Sequence, residues 1–393
     1  MQYAKIILKD GKDFPVIQGH PWIFSGAIEQ KQWDTQDGDI VQIYSKKWVF
    51  LAWGYYNSTT SIAVRVLSRE TSQDPIALWK ANIQQALTLR NTVIDTTQTN
   101  CYRLINAEAD FLPGLIVDRY ADTLVVQIST QWAEKLKHIT LEILMQELKP
   151  ACIFENSDTN ARKIDGLESF VGKLSGELQV PITVMENGMK FTVNLLEGQK
   201  TGFFLDQREE RAIIWRLAKW KKVLNCFCFS GGFSLAARLG WASKVVSIDI
   251  SKKAIDDCKT NYKLNGLATQ DDEFIAADVF EYIERANLSE FDIIILDPPA
   301  FAKKKDDIQN AIKWYRNLNA KTMKKMKSGA ILLTCSCSYY IDTPIFEETI
   351  RRAWIEAKKN LKVIGRHTLA HDHPISLSQK ESEYIKGLLL SVN

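Results

Sequence analysis

Two cysteines separated by one serine follow an apolar run in the last quarter of the chain. The run is AILLT at 330–334, and Cys335, Ser336 and Cys337 come directly after it. Thiols this close together suit half of a metal site, a disulfide, part of a core, or a nucleophile at the mouth of a sheet. The elements that position the two sulfur atoms decide between these four interpretations.

The spacing of the thiols narrows the choice. Structural zinc sites typically place about two to four residues between paired cysteines. Cys226 and Cys228 repeat the one-residue spacing of the first pair, so we expect no metal and interpret them as small buried residues of a central strand. Seven cysteines in a chain that begins without an apolar signal segment favour reduced thiols in a cytoplasmic protein.

Length and composition describe a globular protein of several domains. The chain has 393 residues, of which 46% are hydrophobic and 25% charged, and its net charge is +3. No apolar run reaches the roughly 20 residues of a membrane span, so we expect no membrane partner. Lysine-rich stretches at 303–305 and 321–327 suit either phosphate contacts or solvated helix faces.

The first half of the chain predicts two small domains. Short β-branched and aromatic runs separated by turn residues fill 1–70, which indicates a β-barrel-like module. A helix from Asp74, with a proline in its first turn, to about Asn91 opens a central α+β domain at 71–185. That domain also contains hairpin strands and one amphipathic helix at 133–148.

The second half, 186–393, changes to strand–helix alternation. A hairpin around Asn187-Gly188 precedes it. The alternation predicts a Rossmann-like, doubly wound parallel sheet. Its strands are VLNCFCF, KVVSIDI, EFIAADV, FDIIILD and AILLTCS.

In such a sheet the ligand lies beyond the carboxyl ends of the strands. Phe229, Ser230, Gly231 and Gly232 follow the first strand and lead into a helix. Glycines there let the backbone approach a ligand closely, and a plain tight turn is the alternative. Because the spacing is not that of a dinucleotide fingerprint, a pyrophosphate is disfavoured.

Acidic residues end the next two strands. Asp249, followed by Ile250, is placed to accept hydrogen bonds from ribose hydroxyls. Asp278 and Val279 end the third strand, where they can contact the amine and ring face of an adenine. Each carboxylate alone can also be a helix cap. Together they outline an adenosine pocket without a phosphate cradle, which fits S-adenosylmethionine better than NAD or ATP.

The fourth strand ends in DPPAF, residues 297–301. Its two prolines stiffen the loop and fix the direction of the Asp297 carboxylate, which can accept a hydrogen bond from the amino group of a nucleobase. We expect Asp297 to lie beside the cofactor's methyl group, with Pro298 also in contact with the cofactor. Phe301 and Lys303, Lys304 and Lys305 then form an aromatic and basic surface suited to RNA.

These motifs together resemble class I S-adenosylmethionine-dependent methyltransferases, and more closely the large-subunit (23S) rRNA cytosine-C5 methyltransferase family. The resemblance extends over nearly the whole chain. GHPWIFSGAI and GYYNSTTSIAVRVLS resemble the family's N-terminal PUA-like RNA-binding domain, and RLINAEADFLPGLIVDRY its central domain. TCSCS and HPISLSQKESEYIKGLLL resemble its closing motifs.

The resemblance also implies functional residues. GQKTGFFLDQR is similar to the segment that folds over the cofactor, which implies cofactor contacts by Gln199, Thr201, Phe204, Asp206 and Arg208. At the end of the first strand, where these enzymes usually carry an acid, this sequence has Asn225.

A cysteine nucleophile suits methylation at C5 of cytosine. Addition of a thiolate to C6 makes C5 nucleophilic, and a base removes the C5 proton after the methyl group is transferred. Alternating residues of an extended segment share a face, so Cys335 and Cys337 are both candidates, and the family's motif favours Cys337. The base stays open between Asp297, water and the second cysteine.

Two other functions fit the same residues. An amino-methyltransferase acting on guanine or adenine would use the DPPAF loop and need no cysteine nucleophile. A non-catalytic RNA-binding protein could keep the whole fold. The target nucleotide is open, and so is the oligomeric state, with a homodimer among the alternatives.

Overall fold

The computed structural model describes the chain in six stretches. These are residues 3–32, 34–71, 74–196, 202–270, 272–302 and 304–393. The chain forms two compact units, each assembled from separate segments. The first unit comprises Met1–Val184, Val193–Phe203 and His371–Ser382, and the second Met185–Thr192, Phe204–Ala370 and Glu383–Asn393. The division into three domains at residues 70 and 185 stays a prediction.

The first unit begins with a six-stranded sheet, as the turn-rich sequence predicts. Its strand order is β2-β6-β5-β4-β1-β3, and β1 pairs with β4 in parallel while the other pairs are antiparallel. Alternate apolar residues such as Ile6, Val41 and Val64 fill its core. The elements are β1 Ala4–Leu8, α1 Phe14–Ile17, β2 Trp22–Phe24, β3 Ile28–Gln32, β4 Ile40–Tyr44, β5 Phe50–Tyr56 and β6 Ile62–Ser68.

The rest of the first unit is an α+β structure around a five-stranded sheet, ordered β11-β10-β9-β8-β7. The Asp74 carboxylate accepts a hydrogen bond from the Ala77 N–H at 3.0 Å and caps α2, as predicted. The helix predicted at 133–148 is wrong in one respect, because the chain breaks into two helices at Leu136. The elements are α2 Pro75–Val93, β7 Cys101–Asn106, β8 Leu115–Tyr120, β9 Thr123–Ile128, α3 Gln131–Lys135, α4 Lys137–Leu148, β10 Cys152–Asn156, α5 Asn160–Ile164 and β11 Val171–Gly176.

The predicted hairpin is present as β12 (Ile182–Glu186) and β13 (Met189–Val193). Asn187 and Gly188 join its strands with φ angles of 48° and 78°. Both angles lie in the left-handed region, as a two-residue hairpin turn of this kind requires.

The second unit contains the predicted doubly wound sheet, in the order β16-β15-β14-β17-β18-β20-β19. Strands β14 to β18 are parallel, whereas β20 runs antiparallel to both of its neighbours. Every residue of β17 is buried, as apolar strands covered on both faces require. The strands are β14 Lys222–Cys226, β15 Lys244–Asp249, β16 Glu273–Ala276, β17 Ile293–Leu296, β18 Ala330–Ser336, β19 Leu361–His367 and β20 Lys386–Val392. The helices are α6 Arg208–Leu217, α7 Gly232–Leu239, α8 Lys252–Leu264, α9 Val279–Arg285, α10 Ile308–Lys325 and α11 Thr343–Ala357.

All seven cysteines lie in the described stretches, and none of them forms a disulfide. Cys226 and Cys228 are buried, as expected for strand-end packing residues. Within the described part of the chain, no set of three or more metal-binding side chains is close enough to hold an ion. None of the helices described here has the length and apolar character needed to cross a bilayer.

Candidate active site

The glycine turn after β14 requires its glycines for steric reasons. Gly231 has φ +82°, and a Cβ placed there would lie 2.1 Å from the Cys258 Sγ on α8. A Cβ on Gly232 would lie 2.9 Å from the Arg211 side chain. The turn therefore lets the start of α7 pack closely against α6 and α8. Its backbone lies at the edge of the sheet, where Phe229 is half-buried and Ser230 is buried.

Asp249 ends β15, where the sequence predicts a ribose-binding carboxylate. Its oxygens accept hydrogen bonds from the Phe229 N–H at 3.0 Å and the Ser251 N–H at 2.9 Å. A carboxylate has about four acceptor positions, so two stay available for vicinal hydroxyls. Ile250 is 74% exposed beside it, an apolar surface at the same edge of the sheet.

Asp278 and Val279 do not end a strand, so that expectation is wrong. β16 ends at Ala276, and Asp278 caps α9 by accepting a hydrogen bond from the Glu281 N–H at 3.0 Å. Val279 is the first residue of that helix and is buried. The cap fixes the half-buried Asp278 near the edge where β15 ends, since Ala277 N–H donates to the Asp249 carbonyl.

The segment expected to fold over the cofactor is partly described. Gln199 and Thr201 lie outside the described residues. The Phe204 ring packs edge-on against the Phe229 ring at 5.0 Å between centroids. Asp206 is buried and accepts a hydrogen bond from the Tyr384 hydroxyl at 2.8 Å, and buried Arg208 pairs with Glu209 at 3.2 Å.

Asp297 follows β17 and meets a partner that sequence reasoning missed. The Gln207 side-chain amide donates to its carboxylate at 2.9 Å. Gln207 lies within the quoted GQKTGFFLDQR motif, but its contact crosses 90 residues of chain and no local pattern indicates it. The buried Pro298 holds the backbone beside this half-buried carboxylate.

Cys337 lies against the DPPAF loop. Its Sγ is 3.6 Å from the Pro298 carbonyl oxygen, and the residue is half-buried while the other six cysteines are buried. The Ser338 hydroxyl accepts a hydrogen bond from the Ala302 N–H at 3.3 Å and exchanges one with the Tyr315 hydroxyl at 3.0 Å. The two loops that follow β17 and β18 are therefore tied together next to the thiol.

Cys335, the other candidate nucleophile, lies in a different environment. It has no exposed surface and packs in the apolar cluster that includes Ile214, Phe233 and Leu333. Burial, followed by the nearby acids Asp297 and Glu210, raises the pKa of its thiol well above the ordinary value. Such a thiol stays protonated and is inaccessible to a nucleobase.

Two buried polar residues near the site are not indicated by any motif. Glu210 on α6 has no exposed surface, and neither carboxyl oxygen accepts a hydrogen bond from another described residue. Burial raises the pKa of Glu210 to about 8, so it is protonated at neutral pH. Arg211 next to it forms a bidentate pair with buried Glu186 on β12, at 2.6 Å for both bonds.

Asn225, which stands where an acid is expected, is buried and forms a hydrogen bond inside the second unit. Its amide donates to the Ser234 hydroxyl on α7 at 2.9 Å, and the Ser247 hydroxyl on β15 reaches the same oxygen at 2.7 Å. All three residues are fully buried. They tie β14 and β15 to α7 beneath the glycine turn.

The aromatic and basic surface after DPPA is partly packed. The half-buried Phe301 ring lies 4.8 Å from the Tyr315 ring and 6.4 Å from the rings of Phe280 and Trp314. Trp314 is 50% exposed. Lys304 and Lys305 are exposed, and Lys303 lies outside the described residues.

Comparisons with known proteins identify the family of this chain. A family model for S-adenosylmethionine-dependent methyltransferases matches residues 140–364, and one for PUA-like domains matches residues 6–69. The chain is similar to ribosomal RNA large subunit methyltransferase I from Aeromonas hydrophila, with 37% identity over 98% of this chain and 99% of that protein. Its similarity to the protein of the same name from Photobacterium profundum is 37%, over 98% of each chain.

A solved structure shares the fold over the whole length. The crystal structure of SMU.776, described as a methyltransferase complexed with SAH, superposes with a TM-score of 0.85. It covers 99% of this chain and 100% of that chain at 22% identity.

Proposed function

Because the chain belongs to the S-adenosylmethionine-dependent methyltransferase family and its relatives are ribosomal RNA large subunit methyltransferase I proteins, we propose that it methylates C5 of a cytosine in 23S ribosomal RNA. The observation that carries this proposal is the position of Cys337. It is the one cysteine of the seven that is not buried, and it lies against the loop that carries Asp297. This is where a C5 reaction needs a nucleophile.

The residues at the strand ends fit the cofactor. Asp249 has two acceptor positions left for ribose hydroxyls, and Ile250 offers an exposed apolar face for the adenine ring. Asp278 and the backbone at Gly231 complete the rim. S-adenosylmethionine, when bound, supplies an electrophilic methyl group. The side chains at the edge then hold adenosine without any phosphate-binding loop.

The reaction proceeds through a covalent adduct with the base. The Cys337 thiolate would add to C6 of the cytosine and make C5 nucleophilic. C5 would then take the methyl group as the cofactor's S–CH3 bond breaks, with its electron pair staying on sulfur and S-adenosylhomocysteine leaving. A base removes the C5 proton, the C5–C6 double bond re-forms, and the C6–S bond breaks to return the thiolate. The target base must first be unstacked to reach the site.

Burial of Cys335 leaves Asp297 or a water as the base. Asp297 is half-buried and held by Gln207, so its carboxylate has a fixed direction beside Cys337. The same carboxylate can accept a hydrogen bond from the cytosine amino group. Lys304 and Lys305 are placed to contact phosphates next to the target base, and the PUA-like domain supplies a second RNA-binding element. An rRNA substrate also suits the cytoplasmic location expected from the sequence.

Two cysteine variants test the assignment. We expect Cys337→Ala to lower transfer of labelled methyl from S-adenosylmethionine to unmodified rRNA by at least about 10³-fold, because no other thiol reaches C6. Cys335→Ala should keep most of the activity and lose about 1 kcal/mol of stability, since it removes only packing. The product is identified by mass spectrometry of the digested nucleosides.

The product separates the possible functions. 5-Methylcytidine that disappears in the Cys337 variant supports the proposal. A methylated amino group on guanine or adenine, formed equally by both variants, would show an amino-methyltransferase. Wild-type protein that binds rRNA and transfers no methyl group would show a non-catalytic RNA-binding protein.

A further inference from the structure

A buried lysine lies beneath the loop that carries Cys337. Lys386 is the first residue of β20 and pairs with Ser336 on β18. It is 3% exposed, and its ammonium donates to the carbonyl oxygens of Ser338 at 2.8 Å and Tyr384 at 3.0 Å. The lysine therefore contacts the backbone carbonyl of Ser338, the residue directly after Cys337.

Among the described residues, no carboxylate forms a hydrogen bond or ion pair with this cation. Within the described part of the chain its hydrogen bonds are the two to carbonyl oxygens, and an ammonium has three donors. Burial lowers the pKa of Lys386 to about 8, and the charges that oppose this shift are, in order, those of Cys337, Glu383 and Asp342. A buried ammonium is costly unless a negative group compensates it. A negative charge on Cys337 would oppose the burial of Lys386 more than one on Glu383 or Asp342.

The other groups that face Cys337 act against a thiolate. Asp297 follows β17, and its negative charge raises the pKa of Tyr315 on α10 and of Cys335 on β18. A negative charge on Cys337 raises the pKa of the same two groups. Tyr315 and Cys335 are buried and neutral, and a negative Asp297 repels a second negative charge. Among the described residues, Lys386 on β20 is a buried cation that contacts the backbone next to Cys337, and it is placed to stabilise a thiolate there.

We propose that Lys386 is a positioning residue that holds Cys337 as a thiolate, ready to add to a nucleobase. The S–H proton leaves to solvent, the ammonium keeps its own proton, and the negative charge on sulfur is stabilised by the adjacent cation. The chemical purpose of this pair rests on the proposed function. The charge state of the thiol, however, is a property of the protein alone.

The test is the pH dependence of Cys337 alkylation by iodoacetamide in the purified, full-length protein, without RNA or cofactor. The other six thiols are buried, so labelling of the native protein reports Cys337, and Cys337→Ser provides the blank. We expect a wild-type midpoint below the ordinary thiol value of about 8.5. Lys386→Met should raise the midpoint by about one pH unit, which slows labelling at pH 7 about tenfold.

Two controls separate charge from structure. Lys386→Arg keeps the cation and should restore most of the low midpoint. Lys362→Met removes an exposed lysine from the neighbouring strand β19 and should leave the midpoint unchanged. A folded Lys386→Met variant with the wild-type midpoint would overturn the proposal and leave Lys386 a structural tie between β18 and β20.

The remaining outcomes are also decisive. If Lys386→Met unfolds, the alkylation midpoints of the wild type and of Lys386→Arg are the test. A wild-type midpoint at or above about pH 8.5 overturns the proposal. If the midpoint shifts as expected but the protein forms no 5-methylcytidine, the Lys386–Cys337 pair stands and the proposed function fails.

Discussion

Glu210 shows how one buried acid makes stability depend on pH. Its carboxyl group is enclosed in the second unit, and burial raises its pKa from 4.5 to about 8. Between these values the folded state binds more protons than the unfolded state, so the free energy of unfolding decreases as pH rises through this window. Below pH 4.5 the group has no such effect, because both states are protonated.

Glu210→Gln should remove this pH dependence. The amide has the shape of the protonated acid, so we expect equal stability near pH 5 and a gain of at least about 1 kcal/mol for the variant at pH 8. Urea unfolding at a series of pH values measures the difference. Glu290→Gln, which changes an exposed acid paired with Lys222, should leave the slope unchanged. A variant less stable than wild type at pH 8 would show that the carboxylate is ionised and bonded in the folded state.

At the scale of elements, Ser338 joins the loops after β17 and β18. Its hydroxyl contacts the Ala302 N–H and the Tyr315 hydroxyl, while the preceding residue, Cys337, lies against the Pro298 carbonyl. These contacts hold the Cys337 segment against the loop that carries Asp297 and Pro298. Preorganisation of this kind acts on the rate of the chemical step more than on cofactor binding.

Ser338→Ala should therefore separate chemistry from binding. The variant leaves the buried Ala302 N–H and the Tyr315 hydroxyl without this partner, and we expect about 1–3 kcal/mol lower stability. The single-turnover rate of methyl transfer should fall about 10- to 100-fold, with S-adenosylmethionine affinity nearly unchanged. Ser289→Ala, in an exposed turn, serves as the control. Equal losses in rate and cofactor affinity would contradict a role in positioning the thiol.

The sequence predicts those site residues that lie at the ends of the parallel strands. Asp249 ends β15, and Asp297 and Cys337 follow β17 and β18. The carboxyl ends of parallel strands meet at one edge, so local patterns predict that these residues lie together. Strands β19 and β20 were not predicted, because an antiparallel return at the edge of a parallel sheet has no local signature. Lys386 is the first residue of β20, so no local pattern indicates that it lies next to Cys337.

Local sequence patterns also do not indicate which polar side chains form hydrogen bonds with each other. Gln207 and Asp297 are 90 positions apart, and the helix-capping role of Asp278 depends on where β16 ends. Both thiols of TCSCS suit the alternation of a strand, and only packing distinguishes them. Cys335 belongs to the core cluster, whereas Cys337 lies beyond the last residue of β18.

At the scale of the whole molecule, the β-rich N-terminal region shares a core with the α+β region that follows it in the first unit. Trp53 and Tyr55 of β5 lie in the same apolar cluster as Trp79 of α2 and Leu104 of β7. Val41 of β4 lies in a separate cluster. Residues in a common core are expected to unfold together.

Trp53→Ala should reveal this coupling by hydrogen exchange. The substitution removes a buried ring and should cost about 3–5 kcal/mol, with faster exchange in β7 and β8 as well as in β5. Val41→Ala should affect mainly the six-stranded sheet. If the tryptophan variant left β7 and β8 fully protected, the two regions would be independent folding units.

The covalent adduct between Cys337 and cytosine can be trapped on a modified substrate. Ribosomal RNA transcribed with 5-fluorocytidine offers a C5 fluorine that a base cannot remove, so an enzyme that adds to C6 and methylates C5 stays attached to its substrate. We expect a denaturation-resistant protein–RNA complex that requires S-adenosylmethionine, with the RNA-linked peptide containing Cys337, and no complex with Cys337→Ala. Methyl transfer to normal rRNA without any trapped complex, or a complex linked through Cys335, would contradict the account.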